Sequence, residues 1–107
     1  MTEKYSSGEI ISPETPGINP LFQRHLAAYD FCIPYIKDKR VLEVGFGEGY
    51  GVGRLSENCS SYDAVDVTDE WIESAKRKYG RENVTFGLYD GKVLPYGDQS
   101  FDVIISM

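Results

Sequence analysis

Residues 41–51 read V-L-E-V-G-F-G-E-G-Y-G, and this stretch decides the fold. It opens with an apolar run that lacks clean alternation, as in a parallel strand covered on both faces. Glycine then occupies every second position from Gly45 to Gly51, which predicts a sharp turn where a ligand can reach the backbone. The helix expected after this turn offers the ligand free N–H groups and the positive end of its dipole.

The rest of the chain alternates predicted strands and helices around this turn. Segment 1–18 contains several Pro and Gly residues without periodicity, and we expect a flexible N-terminal arm there. Asn19 and Pro20 fit the cap and first position of a helix, which Pro34 can kink or end. Further strands are predicted at 40–45, 62–67, 84–89 and 101–106, with helices at 49–58 and from the Thr68–Asp69 cap to Gly80.

Alternating strands and helices predict parallel pairing through crossover connections. The expected fold class is therefore α/β: a partial, Rossmann-like, doubly wound parallel sheet of about four strands in the order 3-2-1-4. Such sheets bind ligands outside the carboxyl ends of the strands, where the strand order reverses. We expect the ligand-binding domain to cover 19–107. Because the chain stops at Met107, at the tip of the fourth strand, we expect a domain truncated after that strand.

Composition excludes several classes of function. The chain has 107 residues, enough for one small domain, and its net charge of −6 disfavours nucleic-acid binding, which needs clustered basic residues. Cys32 and Cys59 are far apart and form no C-x-x-C pair, so no metal site and no disulfide are predicted. The polar, acidic N-terminus is not a secretory signal, and no apolar run approaches the ~20 residues that span a bilayer. We therefore expect a soluble cytoplasmic protein.

The register of the glycines discriminates between ligands. A dinucleotide loop reads G-x-G-x-x-G, but counting from Gly45 or Gly47 places Tyr50 or Val52 where the last glycine is required. Glu43 precedes the loop, and its charge would repel a pyrophosphate but suits a ligand that carries an ammonium group. Glu43 can also bond the loop's own N–H groups, and both roles are compatible.

Two further acids lie at predicted strand ends. Asp66 ends the second strand and can accept hydrogen bonds from both hydroxyls of a ribose. An N-cap role is the alternative for Asp66, but Thr68 and Asp69 already serve that purpose. Asp90 follows the third strand and can accept from an exocyclic amine such as that of adenine; a turn aspartate before glycine is the alternative.

These motifs resemble the class I S-adenosylmethionine-dependent methyltransferases over residues 20–107, most closely the small-molecule group that includes quinone-biosynthesis-type enzymes. The family's first motif is similar to V-L-E-V-G-F-G-E-G, and its segment at the end of strand two is similar to A-V-D-V-T-D-E-W-I. The run from the adenine-side acid into strand four is similar to Y-D-G-K-V-L-P-Y-G-D-Q-S-F-D-V-I-I-S. The resemblance implies S-adenosylmethionine as cofactor and transfer of its methyl group to an acceptor.

The resemblance also implies a role for each matching residue. Asp66 would bind the ribose hydroxyls, and Asp90 would accept from the adenine amine. Val67 would pack on adenine, and Gly91 or Lys92 would offer backbone groups. The remaining implied contacts are Glu43, Gly45, Gly47 and Gly49 at the methionine part, and Ser106 and Met107 beside the fourth strand.

The sequence leaves the acceptor and any catalytic base undetermined. A small-molecule acceptor is favoured over nucleic acid by charge, and no membrane partner is expected. Two other interpretations stay open: a nucleotide- or dinucleotide-binding module, and a non-catalytic methyltransferase-like subunit. The apolar V-I-I of the fourth strand would leave an open edge, which permits self-association.

Outside these motifs, five residues carry weaker expectations. His25 falls off the apolar face of the first helix and is expected at the surface. Asp63 lies near the start of the second strand and is expected to be solvated. Gly51 and Gly53 weaken the second helix by roughly 1 kcal/mol each, which makes sense if this helix lies close to the sheet. Trp71 is expected in the core rather than beside adenine.

Overall fold

The computed structural model describes residues 20–106, and the side chains of 23–106; the predicted arm at 1–18, the cap at Asn19 and the terminal Met107 lie outside the described residues. Within this range the chain forms one parallel sheet and three α-helices. The elements are, in order, α1 (Pro20–Ile36), β1 (Arg40–Val44), α2 (Tyr50–Leu55), a 3-10 turn (Ser56–Asn58), β2 (Ser61–Asp66), α3 (Ile72–Tyr79), β3 (Val84–Leu88) and β4 (Val103–Ser106).

The sheet confirms the predicted topology. Its strands pair in parallel in the order β3-β2-β1-β4. The register aligns Val44 with Val65 on one side and with Ser106 on the other. Parallel strands bring their carboxyl ends to one edge, and the strand order reverses between β1 and β4. The glycine turn after β1 therefore leaves the sheet at the edge where ligands of such folds bind.

The core lies between one face of the sheet and the three helices. Val41 and Tyr62 of the sheet cluster there with Ile36 of α1, Val52 of α2 and Ala75 of α3, and all five are completely buried. Burying a side chain such as Val or Ile contributes about 1.5–3 kcal/mol. This layer therefore fixes the helices on the sheet and, with them, the turns at its carboxyl edge.

The glycines of α2 allow close approach to rings of the neighbouring helices. A Cβ at Gly51 would lie 2.4 Å from Cζ of Tyr29 on α1, and one at Gly53 would lie 2.5 Å from Cδ1 of Tyr79 on α3. The two missing Cβ atoms thus make room for rings of α1 and α3, while α2 also packs on the sheet, since its Val52 joins the core cluster with Val41 and Tyr62. Sequence periodicity shows that a helix packs closely, but not which neighbour requires the missing Cβ.

Of the two effects expected of Pro34, the end of the helix does not occur, because α1 contains Pro34 and continues to Ile36. The start of α3 differs from expectation. At α3, Thr68 Oγ1 accepts from Glu70 N at 3.2 Å, which closes a turn ahead of the helix. The N-cap position falls on Trp71, which makes no capping bond and is partly buried against the core, where its ring was expected.

Two polar residues expected in solvent make specific contacts. Asp63 accepts a hydrogen bond from Tyr96 Oη at 3.0 Å, and burial together with this bond raises the pKa of Tyr96 to about 12. His25 is half-buried, and its Nδ1 lies 2.9 Å from Tyr50 Oη. Asp63 is therefore not simply solvated, and His25 is a partly buried surface residue. The sequence indicated neither contact, because each partner comes from a segment distant in sequence.

β4 is an edge strand of the described sheet. At its amino end, Asp102 accepts from the Arg40 backbone at 2.9 Å and pairs with the Arg40 guanidinium at 3.0 Å, which lowers the pKa of Asp102 to about 2. Ile105 faces the core, whereas Ile104 is 60% exposed. The structure thus retains the apolar edge from which self-association was predicted, and that association stays a prediction. Within residues 20–106, no helix has the length and apolarity to cross a membrane.

Candidate functional site

The turn after β1 is built from glycines in the left-handed region. Gly45, Gly47 and Gly49 have φ angles of 82°, 61° and 97°. Residues with a Cβ adopt such angles at a cost of roughly 1–2 kcal/mol. A Cβ at Gly49 would lie 3.0 Å from Cβ of Ala75, whereas one at Gly45 would meet nothing within 4 Å. Gly49 therefore permits close packing onto α3, and Gly45 presents backbone to open space.

Two hydrogen bonds with β2 hold this loop in place. The Gly45 N–H donates to the Val65 carbonyl at 2.7 Å, and the Gly47 N–H donates to Asp66 Oδ2 at 3.0 Å. Between them, Phe46 is only 3% exposed and anchors the loop in the core. A loop held in place before binding loses little conformational entropy when a ligand arrives.

Asp66 joins three segments at the carboxyl edge. Its Oδ2 accepts from Gly47, its Oδ1 accepts from the Val67 N–H at 2.7 Å, and its carbonyl accepts from the Tyr89 N–H at 3.0 Å. A carboxylate has about four acceptor positions, so these two side-chain bonds leave room for a ligand's hydroxyls. Asp66 does not cap α3, which begins only at Ile72, and the capping alternative is therefore excluded.

Asp90 opens the connection after β3 and has the geometry of a turn. Its Oδ1 accepts from the N–H groups of Val93 and Lys92, both at 2.8 Å, and these bonds lower the pKa of Asp90. The Lys92 N–H is thus engaged within the turn. Gly91 has a φ of 85°, and a Cβ there would lie 3.3 Å from Cγ1 of Val67. Val67 is 59% exposed, so it offers an apolar surface directly beside this turn.

Glu43 is held in a way that the sequence did not indicate. Its side chain is fully buried, with Oε1 accepting from Tyr62 Oη at 2.8 Å and Oε2 accepting from Tyr29 Oη. Burial raises the pKa of Glu43 to about 7. The hydrogen bonds from the two phenols oppose this rise in pKa, and the negative charge of Asp66 adds to it. The carboxyl group therefore bonds side chains of α1 and β2 rather than the N–H groups of the loop. A role toward a ligand's ammonium stays a prediction.

Sequence reasoning missed Tyr29 and Tyr62 as partners of this site. Tyr29 fitted the apolar face of the first helix, and Tyr62 fitted a buried strand. The signal available was Glu43 itself, because an acid inside an apolar strand requires buried donors. The sequence offers eight tyrosines, so it could not say which of them supply those donors.

The structure brings most of the predicted site residues to one edge. The loop and β2 meet through the Gly47–Asp66 bond, and β2 meets the β3 connection through the approach of Val67 to Gly91. Ser106 is exposed and lies in register with Val44, the last residue before the loop. The predicted residues at this edge are Gly45, Gly47, Gly49, Asp66, Val67, Asp90, Gly91 and Ser106, with Glu43 beneath the loop.

Comparisons with known proteins identify the family. The model of the methyltransferase domain family matches residues 41–107, more than half of the chain. Relatives include protein-L-isoaspartate O-methyltransferase of Myxococcus xanthus, 41% identical over 73 residues, and fatty-acid O-methyltransferase of Mycolicibacterium smegmatis, 30% identical over 74. A probable phthiotriol/phenolphthiotriol dimycocerosates methyltransferase of Mycobacterium ulcerans is 32% identical over 74 residues. These matches cover 64%, 67% and 67% of this chain but only 34%, 27% and 29% of the relatives, so the chain spans about a third of their length.

Solved structures agree with this result. The YcgJ protein of Bacillus subtilis superposes with a TM-score of 0.68 at 31% identity, over 77% of this chain and 38% of that one. The N-methyltransferase NodS of Bradyrhizobium japonicum, in complex with S-adenosylhomocysteine, has a TM-score of 0.62 at 19% identity, over 78% of this chain and 42% of NodS, and shows the fold alone. Fold and family match together define a Rossmann-like methyltransferase domain. The chain belongs to the class I S-adenosylmethionine-dependent methyltransferase family.

Proposed function

We propose that this chain binds S-adenosylmethionine at the carboxyl edge of its sheet and forms the cofactor-binding part of a methyltransferase that acts on a small-molecule acceptor. The observation that carries the proposal is Asp66, which ties the glycine loop to the end of β3 and retains acceptor capacity. The open backbone at Gly45 and the exposed Val67 beside Gly91 support it, since the cofactor combines an aminoacyl chain, a ribose and an adenine.

In this proposal each segment binds one part of the cofactor. The loop at 45–49 contacts the aminoacyl chain through its backbone, and Asp66 accepts hydrogen bonds from the ribose hydroxyls. Val67 packs on the adenine, and Asp90 accepts from its exocyclic amine. When bound, S-adenosylmethionine supplies an electrophilic methyl group on a positively charged sulfur. The protein's contribution is to hold that sulfur in line with the acceptor and to exclude water.

The small-molecule acceptor is supported by charge and by two relatives. A net charge of −6 disfavours a polyanionic acceptor. The relatives named above include one enzyme named for fatty acids and one named for phthiotriol dimycocerosates. The relative named for protein L-isoaspartate provides the alternative acceptor class. An assay with S-adenosylmethionine that carries a labelled methyl group distinguishes these two classes. It compares methyl transfer to long-chain fatty acids with methyl transfer to an isoaspartyl peptide. Labelling of the peptide alone would contradict the small-molecule proposal.

Titration calorimetry with S-adenosylhomocysteine and with NAD tests the cofactor assignment. We expect the first ligand to bind and Asp66→Ala to weaken its binding roughly 10–100-fold, because a charge-assisted bond to a hydroxyl is lost. Asp63→Ala is the matched control: Asp63 is an acid of the same strand, but its bond goes to Tyr96 and not to the loop. Binding of NAD alone would refute the cofactor assignment, and an equal loss of affinity in both variants would remove the ribose role of Asp66.

A further inference from the structure

The buried cluster of Tyr29, Glu43 and Tyr62 joins α1, β1 and β2 beneath the glycine loop. Each carboxyl oxygen of Glu43 accepts from one phenol, and the three side chains are at most 3% exposed. Both donors are neutral, so neither supplies a positive charge to balance an ionised Glu43. A buried carboxylate without a cationic partner is costly, and such a group can keep its proton instead.

The balance between the two charge states of Glu43 is close. Burial raises its pKa to about 7, and the negative charge of Asp66 acts in the same direction, whereas the phenols of Tyr29 and Tyr62 stabilise the ionised form. At neutral pH a modest change in local charge therefore decides whether the proton stays. The titratable groups that sense Glu43 from the packed elements are Tyr29 and Cys32 of α1, Tyr50 of α2, and Tyr62 of β2, with Asp66 at the end of β2.

The loop that would hold the cofactor starts two residues after Glu43. Because the carboxyl group is enclosed, it acts on a ligand at Gly45 by its charge across the loop rather than by contact. A positive charge placed near the loop favours the ionised form of Glu43, and an ionised Glu43 in turn favours the positive charge. The two events are therefore linked.

We propose, on the basis of the function proposed above, that the Tyr29–Glu43–Tyr62 cluster couples binding of an ammonium-bearing cofactor to loss of a proton from Glu43 to solvent. Tyr29 and Tyr62 are then positioning residues that make the charged form of Glu43 accessible near neutral pH. A nucleoside without an ammonium group does not favour the ionised form of Glu43, so its binding releases no proton. The cluster therefore favours ligands that carry the aminoacyl end of the cofactor.

Calorimetry in pairs of buffers with different ionisation enthalpies measures the protons released on binding. With S-adenosylhomocysteine, the chain should release close to one proton at about pH 6 and progressively less towards about pH 8, while the affinity rises roughly tenfold. With 5′-methylthioadenosine, which lacks the aminoacyl group, we expect binding without proton release. Glu43→Gln should abolish the release and leave only any titration that belongs to the ligand.

The tyrosine variants separate a linked role from a purely structural one. Tyr29→Phe or Tyr62→Phe removes a donor to the ionised form, so the pH at which proton release disappears should rise. A structural role would lower the affinity equally at every pH without changing the proton count. Absence of S-adenosylhomocysteine binding at every pH would refute the proposed function; binding without proton release in the unaltered chain would refute the coupling and leave the function standing.

Discussion

The packing of Gly51 against Tyr29 makes a prediction about stability. Gly51→Ala gains about 1 kcal/mol in helix propensity. The new Cβ, however, would lie 2.4–2.7 Å from three atoms of the Tyr29 ring, and overpacking of this kind costs about 1–3 kcal/mol. Tyr29 is buried and bonded to Glu43, so displacing its ring also weakens this bond, which contributes about 0.5–1.5 kcal/mol when Glu43 is protonated and about 1.5–3 kcal/mol when it is ionised. We expect a net destabilisation of about 2 kcal/mol.

Urea denaturation followed by circular dichroism measures this change, and the corresponding Tm should fall by roughly 10 °C. Gly53→Ala is the matched control, because it lies in the same helix and gains the same propensity. Its Cβ would approach Cδ1 of Tyr79 at 2.5 Å, but that ring is only half-buried and makes no bond to the buried Glu43. Gly53→Ala should therefore cost less than Gly51→Ala. A Gly51→Ala variant as stable as Gly53→Ala would refute the argument that the locked Tyr29 ring sets the cost.

Two further predictions concern the loop and the edge strand. Gly45→Ala should cost about 1–2 kcal/mol in stability because Gly45 has a φ of 82°. It should reduce S-adenosylhomocysteine affinity far more than this strain implies, because the methyl group enters open space that the ligand needs. Thermal melting measures the loss of stability, and calorimetry on the same sample measures the loss of affinity. Asp102, with its pKa lowered to about 2 by Arg40, contributes stability that is present above its unfolded pKa of about 3.9 and is lost as pH falls towards 2. In Asp102→Asn, the urea midpoint should therefore depend less on pH between about pH 4 and pH 2. An unchanged pH dependence would contradict the stabilising role of the Asp102–Arg40 pair.

The sequence predicted what depends on local pattern and strand order. The glycines at 45–49, the acid at Asp66 and the alternation of strands were sufficient to predict a parallel sheet of order 3-2-1-4 with the turn at its carboxyl edge. These features depend on backbone geometry and on chain direction, which short stretches of sequence encode. Parallel pairing alone brings residues at neighbouring strand ends together, so their proximity can be predicted without knowing how side chains pack.

What the sequence did not predict depends on side chains meeting across the fold. The bond of Asp63 to Tyr96, the contact of His25 with Tyr50 and the enclosure of Glu43 each join residues from separate elements. Polar pattern alone assigned Asp63 and His25 to solvent because their partners could not be identified. Packing between elements determines which partner a polar side chain meets. The polar pattern within one element therefore does not predict that partner.

Glu43 also gives a prediction that needs no ligand. Its pKa is about 7 in the folded chain and about 4.3 in an unfolded one, so the folded state binds more protons between these values. Stability must then fall as pH rises through this window and level off above about pH 7, by roughly 4 kcal/mol in total. This direction is opposite to that of Asp102, whose lowered pKa stabilises the fold as pH rises.

The test compares the pH dependence of unfolding in the unaltered chain and in Glu43→Gln. Glutamine fills nearly the same volume and can accept from one phenol, but it carries no charge at any pH. Its urea midpoint should therefore show no decline between about pH 5 and pH 7, and at about pH 8 the difference in stability between the two proteins should be smallest or reversed. Parallel profiles would mean that Glu43 is already ionised throughout this range. The two phenols would then suffice to hold the charge, and the proton linkage inferred for cofactor binding would lose its physical basis.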